Sequence, residues 1–82
     1  MMDRPQINEK LEEVILDVMP ELDKVDLSAS ITNTYGVNSV SLIRIILAVE
    51  NKFDVSFTDY ELALSSYDTF GDLAATVAEK LA

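Results

Sequence analysis

Of the side chains able to do covalent chemistry, this 82-residue sequence keeps few, since it contains no Cys, no His and no Trp. That excludes thiol nucleophiles, imidazole bases, disulfides and zinc sites of Cys/His type. Fifteen Asp and Glu stand against six Lys and Arg, yet no pattern sets two carboxylates together at an apolar pocket, as acid–base catalysis requires. The sequence does not read as that of an enzyme. Hydroxyls remain, and Ser39 is set apart by its place: it ends a long polar stretch and opens the most apolar run of the chain, VSLIRIILAV. An anionic group esterified to it would lie against the free N–H groups and positive end of a helix. A phosphodiester suits that position, and because the chain supplies no base to activate the hydroxyl, another enzyme must make the bond. The plainer reading is that Ser39 only caps the helix, as Ser and Asn readily do.

The elements that must position Ser39 follow from spacing. Ile7, Leu11, Val14, Ile15 and Val18 recur at helical intervals, and Pro5 suits a first turn while Pro20 cannot continue one, so a first helix is expected over about 5–19. Residues 20–38 show no period and are expected to form a long loop, a length usually reserved for function. Asn38 and Ser39 then begin a second helix over about 39–53. Thr58-Asp59-Tyr60-Glu61 and Thr69-Phe70-Gly71-Asp72 both have the form of a capping box. They predict a short third helix at about 59–65 and a last helix at about 70–81. The expected fold is an all-α four-helix bundle in a single domain, residues 1–82.

The second helix has two apolar sides. At roughly 100° per residue, Leu42, Ile46, Val49 and Phe53 share an arc of about 60° with Ile45 beside it, and this arc must face the core. Val40, Ile43 and Leu47 fall on the side away from it, next to Arg44. A helix of this kind either packs on both sides or offers one to a partner.

The net charge of −9 would repel nucleic acid phosphates and anionic membranes, so neither is an expected partner and basic proteins are. The charge is uneven. Residues 1–38 hold eight acids and three bases, residues 54–82 six acids and one base, and residues 39–53 one acid and two bases. With no signal-peptide core and no run of roughly 20 apolar residues, a cytoplasmic monomer is expected.

The chain resembles the acyl carrier protein family, four-helix domains whose serine receives 4′-phosphopantetheine from coenzyme A. Gly36-Val37-Asn38-Ser39-Val40 stands where the family has Gly-x-Asp-Ser-Leu. Leu47-Ala48-Val49-Glu50-Asn51-Lys52-Phe53 is similar to its Leu-Glu-x-x-Phe ending of the second helix. Leu62, Tyr67, Thr69 and Gly71-Asp72-Leu73 resemble the run that leads into the last helix of freestanding members.

The resemblance implies that Ser39 carries a covalent 4′-phosphopantetheine and that Asn38, Val40, Ile43, Arg44 and Leu47 form the partner-facing surface. It implies no catalytic residue and no metal. The implied partners are a phosphopantetheinyl transferase, an acyl or aminoacyl ligase, and downstream synthases or transferases. Asn38 replaces the family's Asp, and Ser41, Arg44, Asn51 and Lys52 fill positions that are often acidic there. Three functions remain open on the sequence: an acyl carrier of fatty-acid, polyketide or specialised metabolism; an aminoacyl, peptidyl or D-alanyl carrier; and a helical interaction module without the arm.

Overall fold

A computed structural model describes residues 2–82. Four α-helices are present among them: α1 (Arg4–Val18), α2 (Ile31–Tyr35), α3 (Ser39–Phe53) and α4 (Phe70–Leu81), with two 3₁₀ turns at Tyr60–Leu62 and Leu64–Ser66. No strand occurs among the described residues, only an isolated bridge between Ser30 and Thr69. The all-α bundle read from the sequence is the architecture observed.

Helix α1 starts one residue before Pro5 because Asp3 caps it. The Asp3 carboxylate accepts from Gln6 N–H at 3.0 Å while the Gln6 side chain accepts from Asp3 N–H at 3.1 Å, which satisfies two otherwise orphaned donors. The helix stops at Val18 because Pro20 disfavours helical geometry at Met19, the residue before it. Ile7, Leu11, Val14 and Ile15 are buried, and α1 packs them against both α3 and α4. Leu42, Ile45, Ile46, Val49 and Phe53 supply the α3 side of this core, and Phe70, Leu73, Ala74 and Val77 the α4 side. Among the described residues no charged residue is buried and the core is apolar but for the Tyr67 hydroxyl, so apolar burial chiefly holds the interior.

Two stretches differ from expectation. The segment 20–38 is not all loop, because Ser30 caps the one-and-a-half-turn helix α2 by accepting from Asn33 N–H at 3.1 Å. Gly36, at φ 64°, ends it in the left-handed conformation that glycine adopts without strain. Only Ile31 of this helix is buried, so no hydrophobic period could announce it.

The segment 59–65, expected as one short helix, is instead two 3₁₀ turns broken at Ala63, whose ψ of 132° is extended. Thr58 and Glu61 do form the reciprocal box, at 3.3 and 2.8 Å. Past them, the Ser66 hydroxyl donates to Tyr60 O at 3.0 Å and the Tyr67 hydroxyl to Glu61 O at 2.7 Å. Side chains thus take carbonyls that a continuing α-helix would give to its own backbone.

The long connection is tied down before it reaches α3. The Glu12 carboxylate accepts from Val25 N–H at 3.0 Å, Leu27 O accepts from Gly71 N–H at 2.8 Å, and Asp68 O accepts from Ile31 N–H at 3.0 Å. Gly71 is needed for this approach, since a Cβ there would sit 3.1 Å from Leu27 O. Tyr35 lays its ring 5.8 Å from that of Phe70 and takes the Asp26 N–H on its hydroxyl oxygen at 2.6 Å. A segment without regular structure over most of its length therefore has fixed ends, which is what positioning a reactive group at its end demands.

Candidate functional site at the start of helix α3

Val37 is buried and anchors the chain one residue before the helix cap. Asn38 follows in extended backbone, φ −98° and ψ 178°, and its side-chain oxygen accepts from Ser41 N–H at 2.9 Å. Its carbonyl accepts from Leu42 N–H at 3.0 Å. Asn38 is therefore the cap, and Ser39 is the first residue of the helix proper. This corrects the plainer sequence reading, in which Ser39 served as a cap and nothing more.

Relieved of that work, Ser39 stands exposed at the positive end of a fifteen-residue helix with no acidic residue in its first turn. A phosphate ester at this position would meet N–H groups that lack intrahelical partners, and a helix dipole of favourable sign. The residues present fit a covalently held phosphodiester. Among the described residues no group of three His, Cys, Asp or Glu is placed to hold a metal ion.

The other residues singled out by sequence lie along the same helix. Val40 is 66% exposed, Leu47 51% and Ile43 39%, while Arg44 and Asn38 are also exposed. Leu42, Ile45, Ile46, Val49 and Phe53 are buried, so the two sides of the helical wheel fall as the spacing requires. Two residues named only as parts of motifs have surroundings the spacing did not assign. Tyr60 is 81% exposed on a turn that packs against α3, and only its place inside the Thr58 capping box hinted at a surface position. Glu50 turns its carboxylate to accept from Phe57 N–H at 2.8 Å, which fastens the segment after α3 to the helix itself.

That segment is also fastened to α4. Lys80 Nζ donates to Glu61 Oε1 at 2.8 Å and lies 4.9 Å from the centre of the Phe57 ring. The hydrogen bond from Lys80, followed by that from Thr58 N–H, holds the Glu61 carboxyl below its ordinary pKa. Burial, reinforced by the Glu61 charge, raises the Tyr67 hydroxyl above its own. In the first loop, the Asp26 carboxyl is lowered by its hydrogen bonds from the Ser28 hydroxyl and backbone.

Residues 9–77 match the family model described as a phosphopantetheine attachment site. The chain belongs to the phosphopantetheine-binding acyl carrier protein family. It is 34% identical over 62 residues to the acyl carrier protein of Petrotoga mobilis (strain DSM 10674 / SJ95), an alignment that spans 74% of this chain and 73% of that protein. Carriers of this family bear a covalently attached 4′-phosphopantetheine and are not enzymes. The missing catalytic repertoire is thus what the role requires. Such carriers work with a transferase that installs the arm and with enzymes that load and use it. No helix among the described residues is long and apolar enough to cross a membrane.

Proposed function

We propose that Ser39 is the attachment residue and that the protein is an acyl carrier, holding an acyl group as a thioester on the arm and presenting it to biosynthetic enzymes of fatty-acid, polyketide or other specialised metabolism. The observation that carries this reading is the division of labour at the helix start. Asn38 makes the capping bond at 2.9 Å, which leaves the Ser39 hydroxyl exposed and free to be esterified. The arm supplies the one chemical function the chain lacks, a thiol able to form a thioester. Ser39 Oγ gains a bond to phosphorus as coenzyme A releases its adenosine bisphosphate, and the hydroxyl proton passes to a base on the transferase. Because the chain has no Cys, no internal thiol competes for the cargo. The Petrotoga mobilis relative is named an acyl carrier protein, which favours an acyl over an aminoacyl cargo. The role is that of a cytoplasmic monomer working with a phosphopantetheinyl transferase, a ligase and downstream synthases or transferases.

Intact-mass measurement tests the attachment. Incubation with coenzyme A and a broad-specificity phosphopantetheinyl transferase is expected to add one arm. Ser39→Ala should abolish the gain while leaving the far-ultraviolet circular dichroism spectrum unchanged. Modification of the Ala variant, or none of the wild type with several transferases, would place the arm elsewhere or nowhere.

A further inference from the structure

The short helix α2 is held at its two ends by different means. Its five residues are too few to keep helical form unaided, and Thr32, Asn33 and Thr34 are exposed. At its start Ile31 is fully buried, and the Ile31 N–H donates to Asp68 O at 3.0 Å. At its end the anchor is Tyr35, whose half-buried ring lies 5.8 Å from that of Phe70, the buried first residue of α4. The Tyr35 hydroxyl accepts from Asp26 N–H at 2.6 Å. Asp26 is itself fixed, because its carboxylate accepts from the Ser28 N–H at 2.9 Å and from the Ser28 hydroxyl at 2.6 Å. Next to it, Leu27 O accepts from Gly71 N–H at 2.8 Å. One side chain therefore ties the end of α2 both to the preceding loop and to α4.

Tyr35 stands four residues before Ser39, and the chain between them is thinly supported. Gly36, in the left-handed conformation at φ 64°, brings no side chain to pack. Val37 is buried, but Asn38, Ser39 and Val40 are exposed and Ser41 is half-buried, so α3 has no core residue before Leu42. A helix end without burial opens locally at small cost. The Asn38 side chain holds this first turn from within, at 2.9 Å from Ser41 N–H, and Tyr35 holds the chain that enters it. Transfer chemistry is sensitive to such support, since a displacement of about 1 Å at the reacting atom can cost on the order of 100-fold in rate.

Resting on the reading of Ser39 as the attachment residue, we propose that Tyr35 is a positioning residue for arm transfer. Its ring on Phe70 and its hydroxyl on Asp26 N–H hold the end of α2, and through Gly36, Val37 and Asn38 the first turn of α3, in the arrangement from which the Ser39 hydroxyl is esterified. The bonds made and broken are those of the transfer already described. Tyr35 acts through the backbone alone, by raising the fraction of carriers in which Ser39 stands ready. The remainder of α3 is fixed by its own core contacts, so a partner grips it equally well with or without Tyr35.

The test uses the full 82-residue chain, coenzyme A and a broad-specificity phosphopantetheinyl transferase, in single turnovers with the transferase in excess. Tyr35→Phe keeps the ring on Phe70 and removes the acceptor oxygen. It should lower the transfer rate at saturating transferase about threefold to tenfold, the effect of one lost hydrogen bond, while the half-saturating concentration stays within about twofold. Backbone amides of residues 36–41 should exchange with solvent faster, and those of residues 45–49 at the wild-type rate. Tyr67→Phe is the control, because it also removes a hydroxyl that makes a bond, to Glu61 O at 2.7 Å, but in the turns that follow α3. It should lower the Tm by a similar amount and leave the transfer rate unchanged, which separates lost positioning from lost stability. The proposal is overturned by a Tyr35→Phe rate equal to wild type at saturation, by a loss confined to the half-saturating concentration, by an equal fall in Tyr67→Phe, or by faster exchange spread evenly over α3. If the wild type gains no arm at Ser39, the attachment reading fails first and this proposal with it. If the wild type is modified there and Tyr35→Phe keeps pace, only the positioning role of Tyr35 falls.

Discussion

Ile46 and Leu47 are consecutive residues of α3 with opposite fates, and exchanging each for a small residue separates core from contact surface. Ile46 has no exposed surface, whereas Leu47 is 51% exposed. Ile46→Ala removes fully buried methylenes and leaves a cavity, at a cost of about 2–5 kcal/mol. Unfolding entropy of about 2.1 cal/mol/K per residue, summed over 82 residues, converts this to a Tm lower by roughly 12–29 °C. Leu47→Ser forfeits about half of the roughly 1.5–3 kcal/mol that full burial of a Leu provides. A few tenths more go to helix propensity. The sum is about 1–1.9 kcal/mol, a Tm shift of roughly 6–11 °C. Function should rank the other way: per folded molecule, Leu47→Ser is expected to slow arm transfer or acyl loading about fivefold or more, the equivalent of 1 kcal/mol lost at a contact. Thermal melts by circular dichroism, run beside the modification and loading assays, read both quantities. If Leu47→Ser melts as low as Ile46→Ala while its folded fraction is loaded normally, Leu47 belongs to the core and the two sides of α3 have been assigned backwards.

Two further outcomes test local geometry. Asn38→Ala should cost about 1 kcal/mol by removing the cap on Ser41 N–H, whereas Asn38→Asp should change stability by only a few tenths, and by adding a negative charge should speed modification by a basic transferase; denaturant melts and mass-spectrometric time courses over a salt series read the two effects. The Glu61 carboxyl is held below its ordinary pKa by Lys80, so its contribution is complete above the unfolded pKa, near 4.5, and is lost as pH falls through the lower folded value. Glu61→Gln should therefore melt below the wild type at pH 7, with the gap narrowing on acidification; a gap constant with pH would mean that the charge plays no part.

What sequence could and could not reveal follows from how many residues carry each signal. The helices α1, α3 and α4 were legible because four or five buried side chains recur at helical spacing in each. The Thr69 box was legible because its pattern requires only two residues, and both make their bonds, at 3.2 and 3.1 Å. Helix α2 was not, since one buried residue makes no period; its only written signs were Ser30 and Gly36 at its two ends. The break at Ala63 was hidden for a different reason. It depends on the Ser66 and Tyr67 hydroxyls reaching back six residues to carbonyls, and tertiary contacts of that kind leave no trace in local spacing. The site itself divided along the same line. Ser39 and the two apolar sides of α3 could be read from spacing, while the choice of Asn38 over Ser39 as cap rested on a single backbone conformation.

That choice bears on how a small carrier tolerates its cargo. Were Ser39 the cap, its hydroxyl oxygen would be committed to a backbone N–H, and esterification would force the phosphate and the helix start to compete for one atom. With Asn38 holding Ser41 N–H, the Ser39 hydroxyl oxygen is spare for the proposed ester. A phosphate esterified there would lie at the favourable end of the helix dipole, worth about 0.3–1 kcal/mol at an exposed terminus. The core would be equally indifferent to an arm at Ser39: among the described residues no charged residue is buried, and Ser39 is exposed. Folding energy therefore resides in the apolar arc of α3 and the proposed attachment point at its first residue. The exposed arc of Val40, Ile43, Arg44 and Leu47 remains available to be read by enzymes. One helix can serve all three purposes because a turn of 3.6 residues sends consecutive side chains in different directions.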